Sequence, residues 1–124
     1  MRGIIVFAHG SRVESANEAV RGVAAELSRQ GGFPVEAAFL ELGLPDLGGA
    51  AGQLVRAGVD NITVIPYFLT MGLHMERDLP PLIEKISNQY NGLQIAVTLP
   101  LDGHPALVQA LLDRAMSVSH SRNS

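Results

Sequence analysis

The sequence predicts an α/β fold, a three-layer sandwich in which about four helices cover a four-stranded parallel sheet. Two observations favour this fold. Short, continuous apolar runs recur along the chain, as expected of strands that are buried on both faces. Each run is followed by a segment with helical spacing of its apolar residues, which is typical of right-handed crossovers. We expect the flavodoxin-like strand order 2-1-3-4, one domain over residues 1–116, and a disordered polar tail over residues 117–124.

The first half of the chain supplies two strands and two helices. The strands are predicted over residues 3–8 and 34–40. Between them, Ser15 and Glu18 have the spacing of a capping box, which predicts a helix start. Asp46 is the expected N-cap of the second helix. Apolar residues at helical spacing should face inward, namely Ala16, Val20, Val23, Ala24 and Leu27, then Leu47, Ala50, Ala51, Leu54 and Val55.

The second half repeats the alternation. Strands are predicted over residues 62–68 and 93–99. Leu79-Pro80-Pro81 can open the third helix, because proline is tolerated in a first turn. His104-Pro105 leads into the fourth helix, whose apolar residues should also face inward, namely Leu107, Val108, Leu111, Leu112 and Ala115.

Composition excludes several classes of protein. The 47% hydrophobic content is too high for a disordered chain, and no apolar run reaches the roughly 18–20 residues of a membrane span. The net charge of −3 argues against binding to nucleic acids or membranes. The chain has no cysteine, hence no disulfide and no thiolate metal site. The N-terminus has no charged region and cleavage site typical of a signal peptide, so we expect a cytoplasmic protein.

Two histidines follow predicted strands and therefore lie at one edge of the sheet. His9 follows the first strand and His74 the third, while Glu41 follows the second. A lone histidine is more often a packing residue, but two at the edge where α/β proteins bind ligands favour a shared site. Imidazoles with a carboxylate suit divalent transition metals. Glu41 is otherwise a solvated loop acid, and His104 is otherwise a residue that starts a helix.

The neighbours of these histidines suit a flat, anionic ligand. Gly10 and Gly72 make room, since each either adopts a positive φ or lets a flat ligand approach the backbone closely. Arg12 can bind carboxylates, and so can Arg77 unless it pairs with an adjacent acid on its helix. Two methionines beside His74 either contact the ligand or fill the core, namely Met71 and Met75. Glycine-rich nucleotide motifs and a Gly-x-Ser-x-Gly elbow are absent from the sequence.

Taken together, these motifs resemble a known family. The stretches that carry the resemblance are His9-Gly10-Ser11-Arg12, Phe39-Leu40-Glu41, Pro66-Tyr67-Phe68-Leu69 with Gly72-Leu73-His74, Asp78-Leu79-Pro80, and Gly103-His104-Pro105. They look like the sirohydrochlorin chelatases of the class II, ATP-independent superfamily, in the short cobalt chelatase or CbiX form. The similarity extends from Met1 to about Ala115.

The resemblance implies insertion of Co²⁺, or of Fe²⁺ or Ni²⁺, into the tetrapyrrole sirohydrochlorin for cobalamin or sirohaem synthesis, without an organic cofactor. It implies that His9 is metal ligand and proton acceptor, and that His74 is the second ligand. Glu41 is similar to a metal-side acid that varies among members. The residues that would bind the tetrapyrrole are Gly10, Ser11 and Arg12, with Leu69, Thr70, Met71, Gly72 and Leu73.

Longer relatives of this kind fuse two such domains around one cleft, whereas one domain supplies a single wall for a broad ligand. We therefore expect a two-fold homodimer, the commonest closed assembly. Two alternative functions stay open at this point. One is a non-catalytic carrier of a tetrapyrrole or metal on the same fold. The other is a phosphate-ester enzyme that uses His9 as its nucleophile.

Overall fold

The computed structural model describes residues 1–119 and confirms the α/β fold. Four parallel strands form one sheet in the order β2-β1-β3-β4. The elements alternate along the chain as β1 (Arg2–Ala8), α1 (Glu14–Gly31), β2 (Val35–Phe39), α2 (Leu47–Arg56), β3 (Asn61–Pro66), α3 (Leu73–Gln89), β4 (Gln94–Val97) and α4 (Pro105–Met116). Among residues 1–119, none of the helices has the length and apolar content that crossing a membrane requires. Of the predicted polar tail, residues 120–124 lie outside the described part of the chain.

Two hydrophobic clusters cover the two faces of the sheet. Because side chains alternate along a strand, Ile5 and Phe7 of β1 point to one face, and Val6 and Ala8 point to the other. The first face packs against α2 and α3 in the larger cluster. The second face packs against α1, with Ala24 at the centre of the contact. Both clusters centre on β1 and its neighbours, which fixes where the loops after these strands emerge.

The start of α1 differs from the prediction. The helix begins at Glu14, and its N-cap residue Val13 makes no side-chain capping bond. Ser15 lies within the first turn, so the predicted capping box is wrong. The buried face of α1 also begins one residue later than expected, since Asn17 is buried while Ala16 is exposed. The chain between Ala8 and Glu14 is instead held by bonds from its own loop, which are described below.

The start of α3 is also earlier than predicted. β3 ends at Pro66, and α3 begins at Leu73, six residues before the predicted start at Leu79. Pro80 lies inside the helix and so does Pro81. Proline is common in the first turn of a helix but is not confined to it. Here the helix continues although Pro80 and Pro81 have no N–H to donate. As a result His74 lies in the first turn of α3 and not in the loop before it.

The fourth helix is the largest departure from the prediction. Its apolar residues share one side as expected, but they do not face inward. Val108, Leu111 and Leu112 are 68%, 63% and 53% exposed, and none of the residues of α4 is buried. The adjacent strand β4 is also largely exposed. The prediction assumed that α4 packs back on its own sheet, and in the single chain it leaves that surface open.

Candidate functional site

All four strands end at the same edge of the sheet, because they run parallel. The loops that emerge there, together with the start of α3, carry the residues that the sequence singled out. The loops are residues 9–13 after β1, residues 40–46 after β2, residues 67–72 after β3 and residues 98–104 after β4. The site is therefore built from four loops on a rigid parallel sheet, with the start of α3 beside them.

His9 is exposed at the end of β1 and is held from two sides. Its backbone carbonyl accepts a hydrogen bond from the amide of Glu41 at 3.1 Å, and the amide of Leu40 donates to the carbonyl of Ala8 at 2.9 Å. Its ring packs on the Phe68 ring, with centroids 4.7 Å apart and a tilt of 37°. The imidazole is thus oriented by the loop after β3, while its backbone is paired with the loop after β2.

Gly10 occupies the crossing of two loops. Its φ of +93° lies in the region that favours glycine. A Cβ at this position would lie 1.6 Å from the carbonyl oxygen of Glu41, which no real side chain tolerates. Glycine is therefore required for the loop after β1 to pass this close to the loop after β2. Of the two roles that the sequence left open for Gly10, the positive φ is confirmed, and the backbone of Glu41 lies where a side chain would be.

Ser11 and Arg12 complete the turn after Gly10. The hydroxyl oxygen of Ser11 accepts from the amide of Val13 at 3.0 Å, so it stabilises the turn before α1. Arg12 is exposed to solvent. Its guanidinium can reach an anionic group of a ligand that lies over this edge, because it carries its charge on a long and mobile stem.

His74 lies in the first turn of α3, exposed beside a shallow groove. The groove measures about 100 Å³ and is lined by His74 and five neighbours, namely Leu40, Met75, Asp78, Leu79 and Leu82. Leu40 connects the two histidines, because it lines the groove of His74 while its amide pairs with the residue before His9. The two imidazoles therefore border the same end of β2.

Arg77 contacts His74 directly. Its Nη2 donates to Nδ1 of His74 at 3.1 Å, and its Nε donates to Asp78 at 3.0 Å. The hydrogen bond with Asp78 raises the pKa of the Arg77 guanidinium above its usual value. Since arginine only donates, Nδ1 of His74 is the acceptor, and a neutral ring then carries its proton on Nε2. The predicted pairing of Arg77 with an adjacent acid is confirmed, and the contact with His74 is an addition to it.

The loop between β3 and α3 divides its residues between the core and the edge. Leu69 and Thr70 are exposed, and so is Leu73 at the start of α3. Met71 instead packs against the larger cluster, and Met75 is buried in it. The sequence left open whether these methionines contact a ligand or fill the core. Met75 fills the core, whereas Met71 is half-buried against it, and its contact with a ligand stays a prediction.

An apolar rim surrounds the two histidines. We use this name for the exposed, large apolar side chains of the four loops and the start of α3, namely Val13, Leu40, Leu42, Leu44, Tyr67, Leu69, Leu73 and Leu99. Outside this rim, most other exposed large apolar side chains of residues 1–119 lie on α4 or just beyond it. Exposed apolar side chains that are concentrated in the loops of one sheet edge make this edge a candidate binding surface.

Comparison with known proteins identifies the family. A family model described as CbiX matches residues 3–118. The chain belongs to the CbiX family. Among curated relatives of this CbiX chain, the sirohydrochlorin cobaltochelatase of Sulfolobus acidocaldarius is 34% identical over 93% of the chain and 90% of the relative. The chloroplastic sirohydrochlorin ferrochelatase of Arabidopsis thaliana is 32% identical over 90% of the chain and 50% of the relative.

Solved structures agree with the fold of this CbiX chain. A CbiX protein from Marinobacter aquaeolei VT8 superposes with a TM-score of 0.81 at 29% identity, over 94% of this chain and 96% of that one. The sirohydrochlorin chelatase SirB from Bacillus subtilis subspecies spizizenii, solved in complex with cobalt, gives a TM-score of 0.84 at 25% identity. The match covers 94% of this chain and 50% of SirB, so this CbiX chain spans half of that longer chelatase.

The predicted metal set of His9, Glu41 and His74 is not assembled within the described residues. Across residues 1–119, no three histidine, cysteine, aspartate or glutamate side chains lie together in a group that could hold a metal ion. Glu41 is exposed, and its backbone, not its carboxylate, contacts the loop of His9. The sequence placed all three residues at one edge correctly, but an edge position does not fix where a carboxylate points.

His104 has a structural role in this CbiX chain. Its Nδ1 accepts from the amide of Ala106 at 3.0 Å, which caps the N-terminus of α4. This agrees with the local role that the sequence left open for it. The residue that sequence reasoning missed is Asn17, buried on the inner face of α1. The spacing Asn17, Val20 and Ala24 is a helical signal that would have revealed a polar residue on a buried face.

Proposed function

We propose that this CbiX chain inserts a divalent metal ion, Co²⁺ or Fe²⁺, into sirohydrochlorin without ATP, in cobalamin or sirohaem synthesis. The names of its curated relatives support the reaction, since they are sirohydrochlorin cobaltochelatases and a sirohydrochlorin ferrochelatase. The observation that carries the proposal is the pair of exposed imidazoles, His9 and His74, inside the apolar rim. A flat, largely apolar macrocycle with acidic side chains and a metal-binding centre fits such a surface.

We assign to His9 the removal of pyrrole protons. Metallation releases two protons from the macrocycle, and imidazole is the side chain whose ordinary pKa lies near neutrality. Packing of the His9 ring on Phe68 restricts its orientation, as a proton acceptor requires. A neutral imidazole has one basic nitrogen, so His9 would bind the incoming ion through that nitrogen and could accept a pyrrole proton there once the ion has passed to the macrocycle.

We assign to His74 the role of second metal ligand. Arg77 donates to Nδ1 of His74, so binding of a metal through that nitrogen would require Arg77 to move away. Binding through Nε2 requires loss of the proton that Nε2 carries in this tautomer. Two imidazoles bind a divalent ion less tightly than a closed site with four protein ligands does. Weak binding suits a chelatase, because the enzyme must release the ion to its substrate.

The apolar rim and Arg12 are proposed to hold the macrocycle. Leu69 and Leu73 offer apolar contact area at the β3–α3 loop, and Thr70 lies between them. Arg12, exposed next to Gly10 and Ser11, would bind the acidic side chains of the ligand. Binding energy from this periphery can offset the cost of bending the macrocycle, which exposes its nitrogens to the metal.

We propose that the CbiX chain acts as a homodimer in which α4 of each copy covers the sheet of the other. Ile62 and Val64 of β3 point into the larger cluster, so Thr63 and Ile65 lie on the opposite face. On that face α1 packs against β1 and β2, while β3 and β4 remain partly exposed. This open face is bordered by a groove of about 590 Å³ that runs from Ile65 to the start of α4.

Two observations support a second copy as the partner of this face. The apolar side of α4 and the open face of the sheet are both uncovered in one chain, and each is the kind of surface that covers the other. With a two-fold axis, the same contact between α4 of one copy and the sheet of the other would form twice, and it would cover the exposed surfaces of both copies. The groove is also lined by Leu99 of the apolar rim, so the interface would continue into the cleft that binds the ligand.

The experiment that tests the function follows metal uptake by sirohydrochlorin in its visible spectrum. The purified chain, in catalytic amounts, should accelerate uptake of Co²⁺ or Fe²⁺ over many turnovers compared with the same mixture without protein. A change in the spectrum that stops at one equivalent of protein would identify a carrier instead. No acceleration with any divalent ion would contradict the proposed function.

A further inference from the structure

Asn17 is the buried polar side chain of the described residues 1–119, with 1% of its surface exposed. It lies on the inner face of α1, within the first turns of the helix. It belongs neither to the apolar clusters nor to the residues assigned to the ligand. Burial of a side-chain amide costs free energy unless its donors and its acceptor form hydrogen bonds. The hydrogen bonds of Asn17 therefore show which parts of the chain it connects.

The amide of Asn17 is bonded to the loops on both sides of the site. Its Oδ1 accepts from the backbone amide of Ser11 at 2.9 Å, and its Nδ2 donates to the carbonyl of Ser11 at 2.9 Å. Nδ2 also donates to the carbonyl of Leu42 at 2.9 Å, and it lies 3.4 Å from Oε2 of Glu14. One side chain thereby joins the loop after β1 to the loop after β2, whose Leu42 lies 25 residues after Asn17 along the chain.

The surroundings leave the amide little freedom. Leu42 has a φ of +57°, which is uncommon for leucine, and its carbonyl points at Nδ2 of Asn17. A Cβ at Gly43 would lie 3.1 Å from Nδ2, so the backbone of the second loop passes directly over the amide. On the other side, Ser11 is the second residue after His9. The amide therefore fixes the point where both loops turn.

We infer that Asn17 is a positioning residue for His9. It holds the backbone of Ser11 against Leu42, and this contact, together with the bond between Glu41 and His9, sets where the imidazole stands on the sheet edge. The inference rests on the proposed function for its catalytic consequence, but its structural part is independent of it. Asn17 itself contacts neither metal nor macrocycle and acts through the backbone alone.

Aspartate is the most informative replacement, because it keeps the shape and Oδ1 of asparagine. The carboxylate has no donor for the carbonyls of Ser11 and Leu42, and it would face these oxygens with a negative charge. Asn17→Asp should therefore separate the two loops while leaving the apolar clusters intact. The matched control is Asn88→Asp, the same change at an exposed position of α3.

The structural readout does not depend on activity. In NMR spectra, Asn17→Asp should shift the imidazole signals of His9, which report its packing on Phe68, and leave those of His104 in place. The amide of Glu41, which donates to the carbonyl of His9, should lose its protection from hydrogen exchange, while the amide of Val64 in β3 should keep it. Unchanged His9 signals together with an unchanged Glu41 amide would overturn the inference, whether or not the chain proves to be a chelatase.

The kinetic readout separates positioning from general destabilisation. In the metal insertion assay, Asn17→Asp should lower kcat by about 10- to 100-fold, as misplaced reacting groups do, with little change in KM. Asn88→Asp should leave both constants unchanged. If Asn17→Asp does not fold, Asn17→Ser keeps one donor and should show the same pattern to a smaller extent. Wild-type kcat in the folded variant would overturn the inference, and an inactive wild-type chain would overturn only the proposed function.

Discussion

At the residue scale, Gly10 places the strictest limit on the site. The backbone of Glu41 takes the position of any side chain at residue 10, and the φ of +93° adds a second penalty. Gly10→Ala should therefore lower the free energy of unfolding by roughly 1–3 kcal/mol and shift the loop of His9. Urea denaturation followed by circular dichroism measures this change.

Gly22→Ala is the matched control for Gly10→Ala. Gly22 lies within α1 with open space around it, so a methyl group there should stabilise the helix slightly. Equal stability of the two variants would show that the loops after β1 and β2 do not cross as closely as the structure has them.

How far the site was predictable can be argued from its residues. His9 and His74 were found because strand ends can be recognised from apolar runs, and parallel strands end at one edge. The close approach of Gly10 to Glu41 was not predictable, since it depends on how two loops pass in space. The direction of the Glu41 carboxylate was not predictable either, because one bond rotation separates a ligand from a solvated acid. The role of Met75 was ambiguous in the sequence, and only its packing in the larger cluster decided it.

At the element scale, helix capping offers a direct comparison of sequence and structure. Oδ1 of Asp46 accepts from the amide of Gly49 at 2.8 Å and caps α2, as predicted. Ser15 was predicted to cap α1 but lies inside the first turn. Asp46→Ala should therefore cost about 1 kcal/mol of stability, whereas Ser15→Ala should cost nothing. Thermal unfolding of both variants checks this, and a larger loss for Ser15→Ala would support the original capping box.

The charges at the start of α1 predict a pH dependence. Arg21 pairs with Glu14 at 2.6 Å and also with Glu18, and the hydrogen bond from Arg21 lowers the pKa of Glu14 below its ordinary 4.5. This pair stabilises the folded chain above about pH 4.5, and the contribution is lost as pH falls through the lower folded-state pKa. Arg21→Gln should therefore make stability fall less steeply below pH 4.5 than in the wild type.

The variants should be compared by how steeply the free energy of unfolding changes with pH, not by its value at one pH. Arg21 also donates to the carbonyl of Leu44 at 3.0 Å and lies over the Phe39 ring, so its removal lowers stability at every pH. The effect on the slope should be small because the pair is exposed to solvent. Arg56→Gln on α2 serves as the control. An identical slope in Arg21→Gln and wild type would show that the pair does not form in solution.

The elements themselves were largely predictable, and their ends were not. The order and type of all eight elements follow from the alternation of apolar runs and helical spacing. α3 begins at Leu73 because the chain turns into a helix directly after Gly72, which the apolar pattern does not mark. The two prolines instead pointed to Leu79. Local preference identified a plausible start, and the packing of Met75 in the core established an earlier one.

At the scale of the whole molecule, the exposed apolar side of α4 is the basis of the proposed homodimer. The apolar spacing of this helix was correctly predicted, but its apolar side chains are exposed in the single chain. The apolar pattern of a helix predicts that one face is buried, but it does not indicate whether the same copy or a second copy of the chain covers that face. Light scattering should therefore give twice the chain mass for the wild type.

The variant that tests this assembly replaces Leu111 and Leu112 by glutamate. Four charges per dimer in an apolar contact should convert it to monomers, because buried unpaired charges are strongly unfavourable. Val23→Glu on the exposed part of α1 is the control and should remain dimeric. A monomeric wild type, or a dimer that survives both glutamates, would contradict the proposed exchange of α4.

We propose that two imidazoles at one sheet edge carry out metal insertion. This proposal is tested most directly by the rate of Co²⁺ uptake into sirohydrochlorin with His9→Ala, His74→Ala and the control His104→Asn, which keeps a capping side chain on α4. The first two variants should be folded and slower by roughly 100-fold or more, as expected when a catalytic base or ligand is removed. His104→Asn should match the wild type. Wild-type rates in both His9→Ala and His74→Ala would contradict the account.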